Sequence, residues 1–456
     1  MTTRTITLLL VVALAACAGP KPAPPLAAAV APPAAWRDDS APGSELASGW
    51  WQGFGDPVLT KIVETALANN LDVAMSAARV EAARAQFRLS EAQRLPNLAG
   101  SAGGGRQRDV SPFGKPQTQT AGQAELSVSY DLDLFGRLAS ASSAARASLL
   151  ASTAAHDNVR LAVAASAASG YITLRALDAR LAVLHDTLAA RSASLKLARR
   201  RAEAGYSSML DLRQAEAEYS ATEQLIPAAE LAIRRQEDGL SLLLGDNPHG
   251  IERGSDLAAL TAPSAASGLP SALLRRRPDI ATAEQQLVAA DHSLDAARAA
   301  FMPNIQLTAS GGYVASTLLT SPIAIFALGG SVLAPIFDSG RLRAQADTAA
   351  ARRDEAAYLY RKTALTAFKE VDESLNAIRR NADQEQAIAD QRQALARALT
   401  LATSRYRAGY SPYLEQLDAQ RSLLSTELTL IQVRADRLIA AVNLFQALGG
   451  GWQNQG

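Results

Sequence analysis

Arg405–Gln420 reads RYRAGYSPYLEQLDAQ, and Arg201–Glu216 reads RAEAGYSSMLDLRQAE. Each lies between long alanine-rich helical patterns and sets a helix stop directly before a helix start. Gly409 and Gly205 suit the left-handed backbone that closes a helix. Ser411 and Ser207 suit the cap of the following helix, and Pro412 suits its first position. Both stretches therefore read as tight hairpins between antiparallel helices. The offset between them is 409 − 205 = 204 residues, and Arg405/Arg201, Tyr410/Tyr206, Leu414/Leu210 and Ala419/Ala215 keep it. Gly340-Arg341 repeats Gly136-Arg137 at the same spacing, and Leu448-Gly449 repeats Leu244-Gly245. The chain is an internal duplication with two matching tips.

Outward from the tips, helical pattern covers 137–204 and 341–408, each about 100 Å long at 1.5 Å per residue. The segments 208–244 (with Pro227 as a kink), 271–302, 58–95 and 412–447 are about half that length. Placed end to end they supply two further columns, so the expectation is four equal columns in a rod. Globular domains do not average helices this long.

Two regions have period two instead. Pro96-Asn97 opens a Gly-rich stretch at 97–105, followed by polar residues at 106–122. In LSVSYDLDL, 126–134, Leu126, Val128, Tyr130, Leu132 and Leu134 alternate with Ser127, Ser129, Asp131 and Asp133. Pro303-Asn304 opens the counterpart, where Ile305, Leu307, Ala309 and Tyr313 alternate with Gln306, Thr308 and Ser310; a looser apolar strand covers 323–337. Such strands have one greasy and one polar face. At about nine to eleven residues they reach across a bilayer at a tilt. Backbone in hydrocarbon must be fully paired, which demands a closed barrel. Four strands are fewer than the roughly eight of the smallest membrane barrels, so copies must associate as a dimer or a trimer. The polar faces would then line a wet lumen.

The single cysteine, Cys17, follows Arg4, the apolar run Ile6–Leu14 and Ala15-Ala16. That order is a secretory signal peptide, too short to span a bilayer as a helix. The Pro/Ala-rich stretch behind it reads as an extended linker. Net charge over 456 residues is +1, so nothing favours nucleic acid. The four histidines (His156, His185, His249, His292) are scattered, and no metal-ligand spacing occurs. No nucleophile–base pair or phosphate loop is present, so no catalysis and no cofactor are expected. Arg275-Arg276-Arg277-Pro278-Asp279 reads as a solvated helix start rather than an anion site.

Leu14-Ala15-Ala16-Cys17 resembles the bacterial lipobox, which implies a lipid on Cys17; Ala18 behind it implies sorting to the outer membrane. Several further features fit one family: Trp50-Trp51, Phe54 and Asp56-Pro57, the two Pro-Asn strand openings, Asp131-Leu132-Asp133-Leu134-Phe135-Gly136-Arg137, and Ala-Gly-Tyr-Ser with Leu-Asp-Ala-Gln. Over essentially the whole mature length the chain resembles the TolC-like outer-membrane factors of tripartite pumps, in their lipidated NodT/OprM branch. The resemblance implies a homotrimer with a twelve-stranded β-barrel, four strands per chain, continuous with a long α-helical periplasmic barrel. It implies outer-membrane lipids, a periplasmic adaptor (membrane fusion protein) and an inner-membrane RND-type transporter as partners. It also implies that Leu414, Glu415 and Asp418 narrow the closed periplasmic gate, with Tyr406 and Asp211 linking neighbouring helices. Gly205, Tyr206, Ser207, Leu210, Gly409, Tyr410 and Ser411 would form the adaptor-docking tips. Glu415 and Asp418 also suit a helix N-terminus on electrostatic grounds alone. The first repeat has Gln214 in the place of Asp418, so the two tips are not equivalent.

The expected division is a signal peptide at 1–16, a lipidated linker at 17–57 and a first repeat at 58–245. That repeat has a β-hairpin at 97–135 and its tip at 205–207. An equatorial linker at 246–270 leads to a second repeat at 271–449, with a hairpin at 304–338 and its tip at 409–411; a disordered tail occupies 450–456. The function expected is passive export of small molecules such as drugs. The rivals are a channel for type I protein secretion and a lipid-anchored periplasmic coiled-coil scaffold.

Overall fold

The computed structural model describes residues 20–37, 49–264 and 268–452. Cys17, the signal peptide, linker residues 38–48 and tail residues 453–456 lie outside the described residues. The elements in order are α1 (Pro57–Asn69), α2 (Leu71–Ala92), β1 (Asn97–Val110), β2 (Pro116–Leu132), α3 (Arg137–Glu203), α4 (Met209–Glu223) and α5 (Leu225–Leu243). Then come α6 (Pro270–Arg276), α7 (Pro278–Ala299), β3 (Asn304–Ser316), β4 (Ile323–Leu333), α8 (Arg341–Ala408) and α9 (Tyr413–Ala447). The 67 residues of α3 and the 68 of α8 each form one uninterrupted helix, as the pattern required.

The duplication is visible in the backbone. Gly136/Gly340, Gly205/Gly409 and Gly245/Gly449 all have positive φ and all differ by 204. Three of the four shorter helical segments are broken, each for a local reason. Asn70 separates α1 from α2, its Oδ1 accepting from Asp72 N at 2.9 Å and Val73 N at 3.2 Å. Pro227 has no N–H to give, and the helix opens at Gln224 between α4 and α5. Pro278 forces Arg277 into extended backbone, φ −108°, ψ 126°, between α6 and α7.

The chain divides into two compact units. The first comprises described residues 20–29, 78–153 and 282–362 and contains the antiparallel sheet, ordered β1-β2-β3-β4. Its strands have 14, 17, 13 and 11 residues, and β1 and β2 are longer than expected because the polar stretch 106–122 is strand on both sides of a short turn. Pairing Leu98 with Val128, Leu126 with Gly311 and Gly311 with Phe326 puts the apolar positions on one face. Asn97, Ser129 and Thr308 share the other.

Two strand assignments change. Asp133 is not on the polar face: its carboxylate accepts from Leu138 N at 3.0 Å and Ala139 N at 2.7 Å, capping α3. Asp338 does the same for α8, accepting from Leu342 N at 2.9 Å, so β4 ends at Leu333 and not at 337. The linker is also tied down rather than free. Lys21 Nζ lies 2.7 Å from Asp291 and 2.8 Å from Asp295 on α7, and buried Arg353 donates to Pro22 O at 2.8 Å.

The second unit comprises described residues 30–77, 154–281 and 363–452 and contains the main apolar core. Trp50 stacks on Phe445 at 5.2 Å, with Phe54, Leu59, Tyr171 and Ile172 fully enclosed. Asp56 caps α1 through Val58 N at 2.7 Å while accepting from the Tyr171 hydroxyl at 3.1 Å and Ser255 N at 2.9 Å. Burial pushes the Tyr171 phenol up to about 12, and the Asp56 carboxylate adds to the shift. Trp36 is held by its Nε1 donating to Gly268 O at 2.8 Å.

Arg277 is not a solvated helix start. It is 7% exposed, paired with Asp279 at 2.6 Å and Glu370 at 2.7 Å. Its Nη1 donates to Ala447 O at 2.9 Å, in the last turn of α9. Asn70 makes the corresponding bond in the first repeat, its Nδ2 donating to Leu243 O at 2.9 Å. Of the tail expected to be disordered, residues 450–452 are described, and Trp452 Nε1 donates to Asp157 at 2.9 Å.

Candidate functional site

Each tip closes a helix by the same pair of hydrogen bonds. Tyr206 N donates to Arg201 O at 2.8 Å and Gly205 N to Ala202 O at 3.1 Å; Tyr410 N donates to Arg405 O at 2.9 Å and Gly409 N to Tyr406 O at 3.0 Å. This arrangement needs a left-handed residue, supplied by Gly205 at φ +75° and Gly409 at φ +82°. The caps of the returning helices differ from expectation. Ser208, not Ser207, caps α4 by accepting from Asp211 N at 3.2 Å, and α9 begins at Tyr413 after Pro412 with no side-chain cap. Ser207 Oγ and Ser411 Oγ are buried without a hydrogen-bond partner among the described residues.

The turns hold two tyrosines far out. Tyr206 is 86% and Tyr410 81% exposed, beside exposed Met209, Leu210 and Leu414. Exposed apolar side chains grouped in this way mark an interaction site, whereas scattered single ones are ordinary.

Beneath them the inward face of α9 is polar as well as apolar. Tyr406 and Tyr413 meet at 5.4 Å between ring centroids, packed with Ala198, Ala215 and Leu417. Arg201 lies over the Tyr406 ring at 4.8 Å and donates at 2.8 Å each to Tyr406 O and Arg407 O, the last carbonyls of α8. One repeat thus caps the long helix of the other. Glu218 of α4, 6% exposed, sits 2.8 Å from Arg191 of α3, 4% exposed, and also accepts from Arg421 of α9. Gln416 and Gln420 both donate to Ser194 Oγ, at 3.2 and 3.3 Å. Burial dominates the electrostatics here. It lowers the Arg191 guanidinium below its usual range and pushes the Tyr413 phenol up to about 12, with the Glu218 charge adding to the latter.

Leu414, Glu415 and Asp418 project together from the opposite, exposed face of α9, as their spacing requires. Glu415 approaches Arg405 at 3.9 Å, while Asp418 makes no ion pair among the described residues. The expected bond between Tyr406 and Asp211 is not made: the Tyr406 hydroxyl is buried with no hydrogen-bond partner among the described residues. Packing against Tyr413 faces Tyr406 inward, and Asp211 acts on it only through its charge.

The buried Glu218 cluster escaped sequence reading, although Leu212, Ala215, Glu218 and Thr222 are the buried positions of α4 and share one helical stripe. A carboxylate in an apolar stripe was the available signal. Arg201 had none, because its partners are backbone carbonyls from another helix. Among the described residues, no group of three or more His, Cys, Asp or Glu could hold a metal, and no helix is long and apolar enough to cross a membrane.

The family model described as Outer membrane efflux protein matches twice, over residues 62–246 and 269–450. The solvent efflux pump outer membrane protein SrpC of Pseudomonas putida is 37% identical over 406 residues, covering 88% of this chain and 86% of that protein. The pyoverdine export outer membrane protein OpmQ of Pseudomonas aeruginosa is 35% identical over 460 residues, covering 97% and 95%. The open-state crystal structure of the MtrE outer membrane channel of Neisseria gonorrhoeae superposes with a TM-score of 0.84 at 29% identity, covering 95% of this chain and 98% of that one.

Proposed function

The chain belongs to the outer membrane efflux protein family, an outer-membrane efflux channel with its helical part in the periplasm, and from that premise we propose that three copies form the exit duct of a tripartite pump. The observation that carries the assembly is the sheet itself: among the described residues it has four strands, one apolar face open, and β1 and β4 each with an unpartnered edge. Bare edges do not persist in hydrocarbon, so each must meet the edge of another copy. Three copies bring twelve strands, an even number in the range of membrane barrels. The lipobox at Leu14-Ala15-Ala16-Cys17 supports a covalent lipid as an additional tether.

The paired tips are the docking end for a periplasmic adaptor, which joins the duct to an inner-membrane RND-type transporter. Energy comes from that transporter, because this chain has no nucleotide-binding motif. The cargo is small molecules; solvent efflux and pyoverdine export in the named relatives support that class. Leu414, Glu415 and Asp418 form the gate: three copies would bring three unpaired Asp418 carboxylates to one constriction, which favours cations and resists anions.

Planar-bilayer recording of the purified protein beside Asp418→Ala tests both claims. A small, cation-preferring conductance that rises in the variant is expected. A conductance the substitution leaves alone would remove Asp418 from the gate, and no conductance from an inserted oligomer would remove the channel.

A further inference from the structure

The β1–β2 hairpin sorts its charges by face. Register places Arg106 opposite Thr120 and Arg108 opposite Thr118, and both arginines share the face of Leu98, Leu126 and Val128. The acids Asp109, Glu125 and Asp131 fall on the alternate face, where Gln107 and Gln123 hydrogen-bond to the first two at 2.8 and 2.7 Å. Arg106 and Arg108 are exposed, and neither enters an ion pair among the described residues.

Their height along the strand is informative. On β2 the apolar face runs from Leu132 through Tyr130, Val128, Leu126 and Ala124 to Gly122, and 132 − 122 is ten residues. That is about 34 Å of strand, or about 25 Å of membrane thickness at the tilt of such barrels, the height of their apolar band. The next outward positions are Thr120 with Arg106, then Thr118 with Arg108. Thr317 joins at this level, its N donating to Thr120 O at 2.9 Å. Arginine on a lipid-facing position is costly at mid-membrane and nearly free at the boundary. The pair therefore sits one step beyond the hydrocarbon, at the turn end of the sheet, away from the ends that join helices. Lys115 in the turn adds a third positive charge.

We propose that Arg106 and Arg108, with the Thr118 and Thr120 hydroxyls, bind the phosphate groups of outer-leaflet glycolipid. The inference rests on the barrel reading above, which makes this face lipid-facing and this end external. Arginine recognises phosphate through paired N–H donors, and the flanking hydroxyls can donate to the remaining oxygens. No carboxylate on the same face of the hairpin competes.

The test compares wild-type protein with the Arg106→Gln/Arg108→Gln variant in nanodiscs of neutral phospholipid. Each is titrated with bisphosphorylated lipid A, with the same lipid stripped of phosphate, and with inorganic phosphate as competitor. Wild type should retain the phosphorylated lipid, and the variant should bind it about 30-fold more weakly, the effect of two surface cations. The stripped lipid should bind both alike. Equal retention of phosphorylated lipid by both proteins would overturn the proposal. Full displacement by millimolar inorganic phosphate would assign the site to free anions instead. Conductance of both proteins in planar bilayers of the same neutral phospholipid separates this result from the channel reading, because the variant should conduct like wild type. Loss of conductance in wild type itself would strike the channel and leave the lipid measurement standing.

Discussion

Glu218 shows how one side chain can hold three helices together. It is nearly inaccessible, and its carboxylate is shared by Arg191 of α3 and Arg421 of α9. Glu218→Gln leaves Arg191 buried with its charge uncompensated, so the melting temperature of the purified protein should drop by the equivalent of about 3–5 kcal/mol. A variant that melts like wild type would show that the cluster is hydrated and contributes nothing. At this scale sequence reading did well where a residue's job is set by its own backbone. Gly205 and Gly409 end helices because only glycine takes positive φ without cost. It did poorly where the partner is distant in the chain. Arg277 looked like part of a basic surface run, yet it is buried against Glu370 and a carbonyl of α9. Ser207 and Ser411 were plausible caps by type, but the chain turned one residue later at Ser208 and without a side-chain cap at Pro412.

At the scale of elements, the repeated helix breaks form one device used twice. Asn70 and Arg277 each donate to the last turn of a returning helix, while Gly245 and Gly449 let that turn approach closely. A Cβ on Gly449 would fall 1.9 Å from Arg276 O, whereas one on Gly409 would meet nothing within 4 Å. Gly449→Ala should therefore cost at least about 4 kcal/mol by thermal melting, and Gly409→Ala only about 1–2 kcal/mol for its left-handed backbone. Similar losses from both would mean that conformational preference, not the close approach, governs Gly449. The caged tyrosines set an alkaline limit on the same helices. Folded Tyr171 and Tyr413 titrate near 12 against 10.0 when free. Their raised values mean full stability below pH 10, progressively lost as pH rises toward 12. The Tyr171→Phe/Tyr413→Phe double variant should melt with a flatter pH profile across that window, and an unaltered slope would place the alkaline transition elsewhere.

For the whole molecule, the tips are where duplication and asymmetry meet. Both carry an exposed tyrosine beyond a glycine, but only the second has a carboxylate at the Asp418 position, the first having Gln214. A bulky residue at the protruding turn should block docking and leave the membrane end alone. Gly409→Trp is expected to insert and assemble normally while abolishing efflux in cells that depend on this channel. Full efflux from that variant would move the docking surface away from the tips.

Sequence alone determined the duplication, the long helices, the amphipathic strands and the matching tips. These follow from periodicity and from glycine and proline chemistry, which act within a few residues of chain. Tertiary structure alone decided which polar residues are buried and whom they meet. It faced Tyr406 inward, away from the expected bond with Asp211, and made Asp133 a helix cap rather than a lumen residue. It also bound the Pro/Ala-rich segment through Lys21 and Arg353. For the distant partners the physical reason is one: a charge or a carbonyl finds its partner by proximity in space, and sequence spacing carries no record of contacts between residues 80 to 331 positions apart.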